Sequence, residues 1–178
     1  MRDDIQEILF DERRIEEKVR DLAGRISRDY AGKELVLICV LKGAAIFTAD
    51  LMRRLTVPVT VEFVQAASYG ASTTSSETIT IKNDLDADIK GKHVLLVDTI
   101  IDTGETLNHL FTLFRERGPA SIQAVALLDK KARRSIPVPI AYSGFEIPDA
   151  FVVGYGTDFG GKYRNLPYVA VLNPASGK

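Results

Sequence analysis

The chain is predicted to be an α/β protein: a mainly parallel, twisted sheet with helices on both faces, plus a small hood or flap from the C-terminal segment. Three observations carry this expectation. Apolar, β-branched runs alternate with stretches whose apolar residues recur at helical spacing, the order that builds βαβ units and covers a sheet on both sides. The last third, with its Pro and Gly residues, leaves that rhythm. A length of 178 residues, 46% hydrophobic and 26% charged, suits one globular domain. Neither a repeat nor a linker interrupts it, so residues 1–178 are read as a single domain.

In chain order, Ile15, Val19, Leu22 and Ile26 mark one face of a first helix, with Glu, Lys and Arg on the other. Asp11 is placed to cap it. Residues 35–41 form an apolar strand, and Gly43 leads into a second helix through Ile46, Phe47, Leu51 and Leu55. Residues 57–66 are strand-like. The polar run 68–76 cannot pack a core and reads as a mobile loop. A short strand is expected at 78–81 and a buried one at 93–97. Leu107, Leu110, Phe111 and Phe114 mark a helix that ends near Gly118-Pro119. Further strands are expected at 122–128, 150–155 and 168–172.

Bulk properties exclude several function classes. The 23 basic and 24 acidic residues leave a net charge of −1, which gives no electrostatic reason to expect nucleic acid or an anionic membrane as partner. Cys39 is the only cysteine, so no intrachain disulfide forms, and within its apolar run it reads as a small buried hydrophobe. That run falls far short of the ~20 residues that span a bilayer. The polar N-terminus does not resemble a signal peptide, and a cytoplasmic location is expected. His93 and His109 lack partners at ligand spacing, which argues against a zinc site.

Most of the chemistry sits in Val94-Leu95-Leu96-Val97-Asp98-Thr99-Ile100-Ile101-Asp102-Thr103-Gly104-Glu105-Thr106-Leu107. An apolar strand here meets a loop of acids, hydroxyls and one glycine, and open α/β sheets bind ligands at such strand ends. The backbone N–H groups of Thr103-Gly104-Glu105-Thr106, at a helix N-terminus, suit a monophosphate. Gly104 lets the backbone approach the anion, and the Thr hydroxyls add donors. The loop has no Lys and lacks the G-x-x-x-x-G-K-[ST] spacing, so it is not a nucleoside-triphosphate loop. Its carboxylates would repel a phosphate unless they served sugar hydroxyls, a Mg²⁺ ion or a proton to be accepted. Asp102 with Glu105 also matches a helix capping box.

Two other segments are compatible with this. Lys42-Gly43, emerging from the first apolar strand, suits a diphosphate. Ser68-Tyr69-Gly70, at the head of the polar run, suits a lid that closes and expels water from a charge-separated transition state.

The string 94–107 resembles the motif by which type I phosphoribosyltransferases bind 5-phosphoribosyl-1-diphosphate (PRPP). Leu41-Lys42-Gly43-Ala44, Ser68-Tyr69-Gly70, Leu127-Leu128-Asp129-Lys130, the stretch from Gly144 to Tyr155, Asp158 and Tyr163-Arg164-Asn165-Leu166-Pro167 extend the likeness to the hypoxanthine-guanine branch. Together they cover nearly all of residues 10–172. The resemblance implies transfer of the phosphoribosyl group to N9 of hypoxanthine or guanine, with Mg²⁺, in purine salvage. It further implies that Asp98 and Thr99 meet the ribose hydroxyls, that Asp102 accepts the N7 proton, and that Thr103, Gly104, Glu105 and Thr106 bind phosphate. Lys42, Gly43 and Arg164 would hold diphosphate, on a loop able to carry a non-proline cis peptide. Lys130 would donate to the purine 6-oxo oxygen, Phe151 would stack on the ring, and the Val152 backbone would bond the base edge. Ser68 and Tyr69 would belong to the lid, and Asp98 and Asp158 would be the Mg²⁺ ligands. A homo-oligomer, dimer or tetramer, is also expected.

One position departs from the family pattern. The pair before Ile100 is usually acidic–acidic, and here it is Asp98-Thr99. A neutral hydroxyl bonds with about half the strength of a charged partner, which weakens the expected grip on ribose. Two alternatives stand beside the main reading. One is a transferase for another 6-oxopurine, such as xanthine. The other is a regulator on the same fold that senses PRPP or nucleotides and tolerates weakened catalysis.

Overall fold

The structure, a computed structural model, describes residues 4–69 and 78–173. In chain order it runs β1 (Ile5–Phe10), α1 (Glu12–Asp29), β2 (Leu35–Leu41), α2 (Ala45–Met52), β3 (Val59–Tyr69), β4 (Thr78–Asn83) and β5 (His93–Ile101). Then follow α3 (Glu105–Arg115), β6 (Ser121–Asp129), a short 3-10 turn at Lys131–Arg133, β7 (Ile140–Glu146), β8 (Val152–Val153) and β9 (Val169–Leu172). The main sheet has the order β4-β3-β2-β5-β6-β7. All its neighbours pair in parallel except β4, which lies antiparallel on β3 at one edge.

Side-chain alternation along β2 divides the core in two. Leu35 and Leu37 join α1 and α2 in one cluster, with Ile15, Leu22, Phe47, Leu95 and Leu127. Val36, Ile38 and Val40 join α3 in the other, with Leu96, Leu107, Phe111 and Phe114. The sheet is thus covered by helices on both faces, as expected. Asp11 caps α1 by accepting the Arg14 N–H at 2.8 Å. Helix α2 stops at Met52, short of Leu55, which still packs on the first cluster from the following segment.

Strand β3 runs further than expected. It pairs with β4 as far as Tyr69 opposite Thr78, so the backbone of Ser68 and Tyr69 extends the strand. The lid expected of Ser68, Tyr69 and the polar run rests on their side chains and on residues 70–77, which lie outside the described residues.

The hood is a three-stranded antiparallel sheet, β1-β9-β8. It does not come from the C-terminal segment alone: β1 supplies an edge strand, with Ile5 opposite Leu172 and Phe10 opposite Val169. Phe10 stacks on Phe145 of β7 at 3.9 Å between ring centroids, which ties the hood to the main sheet. The strand expected at 150–155 shrinks to Val152–Val153, because Gly154 and Gly156 take φ values of 98° and 100° that leave the extended region. No helix among the described residues is long and apolar enough to cross a membrane.

Candidate functional site

Strand β5 continues past Val97 because Asp98, Ile100 and Ile101 pair with Ala126, Leu128 and Asp129 of β6. The expected loop therefore contracts to Asp102, Thr103 and Gly104. Gly104 has φ 92°, and a Cβ there would lie 2.6 Å from the Ile136 carbonyl oxygen; both facts require glycine. The turn after β6 clamps this loop. The Ser135 and Ile136 N–H groups both donate to the Thr103 carbonyl at 3.1 Å, and Arg134 Nε donates to the Asp102 carbonyl at 3.1 Å. No capping box forms: Gly104 is the N-cap of α3, without a side-chain cap. The Glu105 N–H reaches Thr103 Oγ1 at a long 3.4 Å, and a helix start without a firm cap suits an anion.

A cleft of about 400 Å³ opens where β2 and β5 end. Its walls bring together Lys42, Gly43, Asp98, Thr99, Asp102, Lys130, Phe151, Val152, Asp158 and Arg164. Ile100, Arg133 and Thr157 complete them and were missed from sequence. Thr103, Gly104, Glu105 and Thr106 are not in the cleft wall but beside it, where α3 begins.

One part of the cleft is backbone-rich and basic. The Leu41–Lys42 peptide bond is cis, and a Cβ on Gly156 would overlap the Gly43 carbonyl oxygen. The loops after β2 and after β8 thus touch main chain to main chain. Arg164 Nη1 donates to the Gly156 carbonyl at 2.6 Å, and its Nη2 pairs with Asp158 at 2.7 Å. Asp158 also accepts the Gly161 N–H at 2.7 Å.

Another part alternates charge. Lys130, only 5% exposed, has its Nζ 3.8 Å from Asp102 Oδ2 and 3.9 Å from Asp149 Oδ1. Arg133 Nε lies 3.4 and 4.0 Å from the same two carboxylates. Asp102 Oδ1 is buried without a hydrogen bond. Phe151, 54% exposed, meets Phe159 edge-on at 5.5 Å, an arrangement that leaves its ring open for stacking. Arg133 was hidden in Lys130-Lys131-Ala132-Arg133-Arg134, a run that reads as a solvated turn.

Asp98 and Thr99 line the same cleft. Burial pushes the Asp98 carboxyl up to about 7, although the Thr99 and Ile100 N–H groups pull it back. Thr99 is wholly buried and its Oγ1 has no hydrogen-bond partner. Among the described residues no group of three His, Cys, Asp or Glu could hold a metal. Of the three carboxylates in the cleft wall, Asp98 and Asp158 nevertheless fit Mg²⁺, which takes one or two protein oxygens and fills its shell with water and substrate phosphate.

Residues 6–159 match the family model for the phosphoribosyl transferase domain. The chain is 43% identical over 175 residues to the hypoxanthine-guanine phosphoribosyltransferase of Bacillus subtilis, covering 98% of this chain and 97% of that one. Its likeness to the enzyme of the same name from Dictyostelium discoideum is 44% over 171 residues, covering 94% and 95%. Among solved structures, a hypoxanthine phosphoribosyltransferase from Staphylococcus aureus superposes with a TM-score of 0.96 at 38% identity, covering 100% of this chain and 97% of that one. On a domain match over most of its length, and relatives aligned nearly end to end, the chain belongs to the phosphoribosyl transferase domain family.

Proposed function

We propose that the chain salvages purines by moving the 5-phosphoribosyl group of PRPP onto N9 of hypoxanthine or guanine, with release of diphosphate. The observation that carries this reading is one cleft lined both by Lys130, Asp102 and the open Phe151 ring and by Lys42, Gly43, Asp158 and Arg164. The first set suits a 6-oxopurine and the second a diphosphate.

In this reading Lys130 donates to the 6-oxo oxygen. A 6-amino group would set donor against donor, so adenine is rejected. Phe151 stacks on the ring, and the Val152 backbone takes the base edge. As the C1′–O bond to diphosphate breaks and the N9–C1′ bond forms, Asp102 takes the proton from N7. Lys42 and Arg164 face the charge that builds on the departing diphosphate. The N–H groups from Thr103 to Thr106 hold the monophosphate end, and Asp98 and Thr99 meet the ribose hydroxyls. Mg²⁺, held by Asp98 and Asp158, would supply further positive charge to the diphosphate. Holding two substrates in register contributes at most ~7–11 kcal/mol of the barrier reduction.

Initial rates with PRPP and Mg²⁺ against hypoxanthine, guanine, xanthine, adenine and uracil test the reading. Hypoxanthine and guanine are expected to turn over and adenine and uracil not to. Xanthine as the best substrate would reassign the base, and no turnover with any base would refute the transfer. A cytoplasmic homo-oligomer accords with the same reading, and sedimentation of the purified chain tests the assembly.

A further inference from the structure

Tyr155 lies between Gly154 and Gly156, and its own φ is 46°, a region that residues with a Cβ seldom enter. The residues that follow, Thr157 and Asp158, line the substrate cleft. The Tyr155 side chain instead lines a separate cleft against α1 and α2, together with Asp50 and Arg54. There its hydroxyl donates to Asp50 Oδ2 at 2.6 Å, joining residues 105 apart in sequence. Burial first, and then Asp50, hold the Tyr155 phenol well above its usual range, so it is a donor at every working pH.

Asp50 belongs to α2, the helix that starts directly after Lys42-Gly43. Tyr155 belongs to the loop whose Gly156 touches Gly43. That loop is bound to the Arg164 segment: the Tyr155 N–H donates to the Leu166 carbonyl at 2.9 Å and the Gly156 N–H to the Arg164 carbonyl at 3.0 Å. We propose that the Tyr155–Asp50 hydrogen bond sets the spacing between the two sides of the diphosphate subsite, Lys42-Gly43 and Asp158-Arg164, and that both are positioning residues for the diphosphate-bearing substrate. The inference rests on the transfer reading for the identity of that substrate. Neither residue touches the substrate cleft, and the base-facing set of Lys130, Asp102 and Phe151 is not tied to either.

Tyr155→Phe keeps the ring and leaves Asp50 with Arg53 and Arg54 as partners, so the variant is expected to fold. KM for PRPP should rise roughly three- to tenfold, the attenuated effect of one charged hydrogen bond, with KM for hypoxanthine within about twofold of the parent by the same scale. Asp50→Ala should match it, the double variant should be no worse than either, and Asp50→Asn, which still accepts from the phenol, should recover most of the loss. An unchanged PRPP KM, equal shifts in both KM values, or Asp50→Asn behaving like Asp50→Ala would each overturn the proposal. Calorimetric titration with magnesium diphosphate reads the same tie without turnover. Weaker diphosphate binding by Tyr155→Phe, in a parent that transfers nothing, would refute the transfer and leave the tie standing; equal binding would overturn the tie.

Discussion

Asp102 stands between two cations without being bonded firmly to either: Lys130 is 3.8 Å from one carboxylate oxygen and Arg133 is 3.4 Å from the other. Charge neighbours at that range hold the carboxylate in place, while the buried Oδ1, the oxygen nearer Arg133, accepts no hydrogen bond. Asp102→Asn preserves the shape and removes the acceptor. Turnover of hypoxanthine is expected to fall by about 10²–10⁴, the usual contribution of a general base, with PRPP affinity near the parent's by calorimetry. A variant that keeps most of its turnover would remove Asp102 from this role. Asp98 makes a second prediction. Its folded value of about 7 lies above the ordinary 3.8, so the folded state retains a proton that the unfolded chain has released. That stability is fully present below the ordinary value and is lost as pH rises through the folded one. In metal-free buffer, the parent's Tm should therefore fall relative to Asp98→Asn between about pH 4 and 7. The gap corresponds to a few kcal/mol, at about 1.4 kcal/mol for every tenfold difference in proton affinity between the two states. Parallel curves for the two proteins would mean that Asp98 is not desolvated in solution.

The segment from β5 to α3 shows what the sequence conveyed and where it stopped. The string 94–107 announced a phosphate loop, because acids, hydroxyls and a glycine after an apolar strand have few other uses. It also suggested that the strand ended at Val97. Pairing with β6 carries it to Ile101, a tertiary contact that local composition cannot report. Asp102 and Glu105 likewise fitted a capping box until Gly104 took the N-cap position. Gly104 needed the turn at 134–136 to explain its full constraint. Gly104→Ala would place its Cβ 2.6 Å from the Ile136 oxygen at φ 92°. Positive φ alone costs a residue with a Cβ about 1–3 kcal/mol, and the contact adds to that. We expect a lower Tm and a PRPP KM raised by more than the hypoxanthine KM, since the loop shifts before the base-facing residues do. A variant as stable as the parent would show that the turn yields, and that the clamp on the loop is weaker than its hydrogen bonds suggest.

At the scale of the whole molecule, the alternation of strands and helices was enough to specify the main sheet, but the hood was only half legible. Gly154 and Gly156 break the C-terminal strand pattern where it faces the cleft, and β1 is short and largely exposed, without the apolar period that marks a strand. Its placement is nonetheless what completes the base-facing side. Strand β1 pairs with β9, β9 with β8, and β8 carries Val152 next to Phe151. The Leu172 N–H donates to the Phe151 carbonyl at 2.9 Å, so the ring is hung from the strand that β1 covers. Removing residues 1–8 would strip β9 of its outer partner while leaving Phe10 and its stack on Phe145. An uncovered edge loses a row of ladder hydrogen bonds, each worth about 0.5–1.5 kcal/mol net. The truncated chain is expected to melt earlier and to show a higher KM for hypoxanthine, with KM for PRPP rising less: Lys42 and the phosphate loop are not built on β1, while on the Arg164 side Tyr163 loses its Asp4 acceptor and the packing of Ile5. Steady-state kinetics with each substrate varied in turn, alongside thermal melts, separates the outcomes. If both KM values rise together, the hood does not act on the base alone, and the division of the cleft into a purine side and a diphosphate side would have to be redrawn.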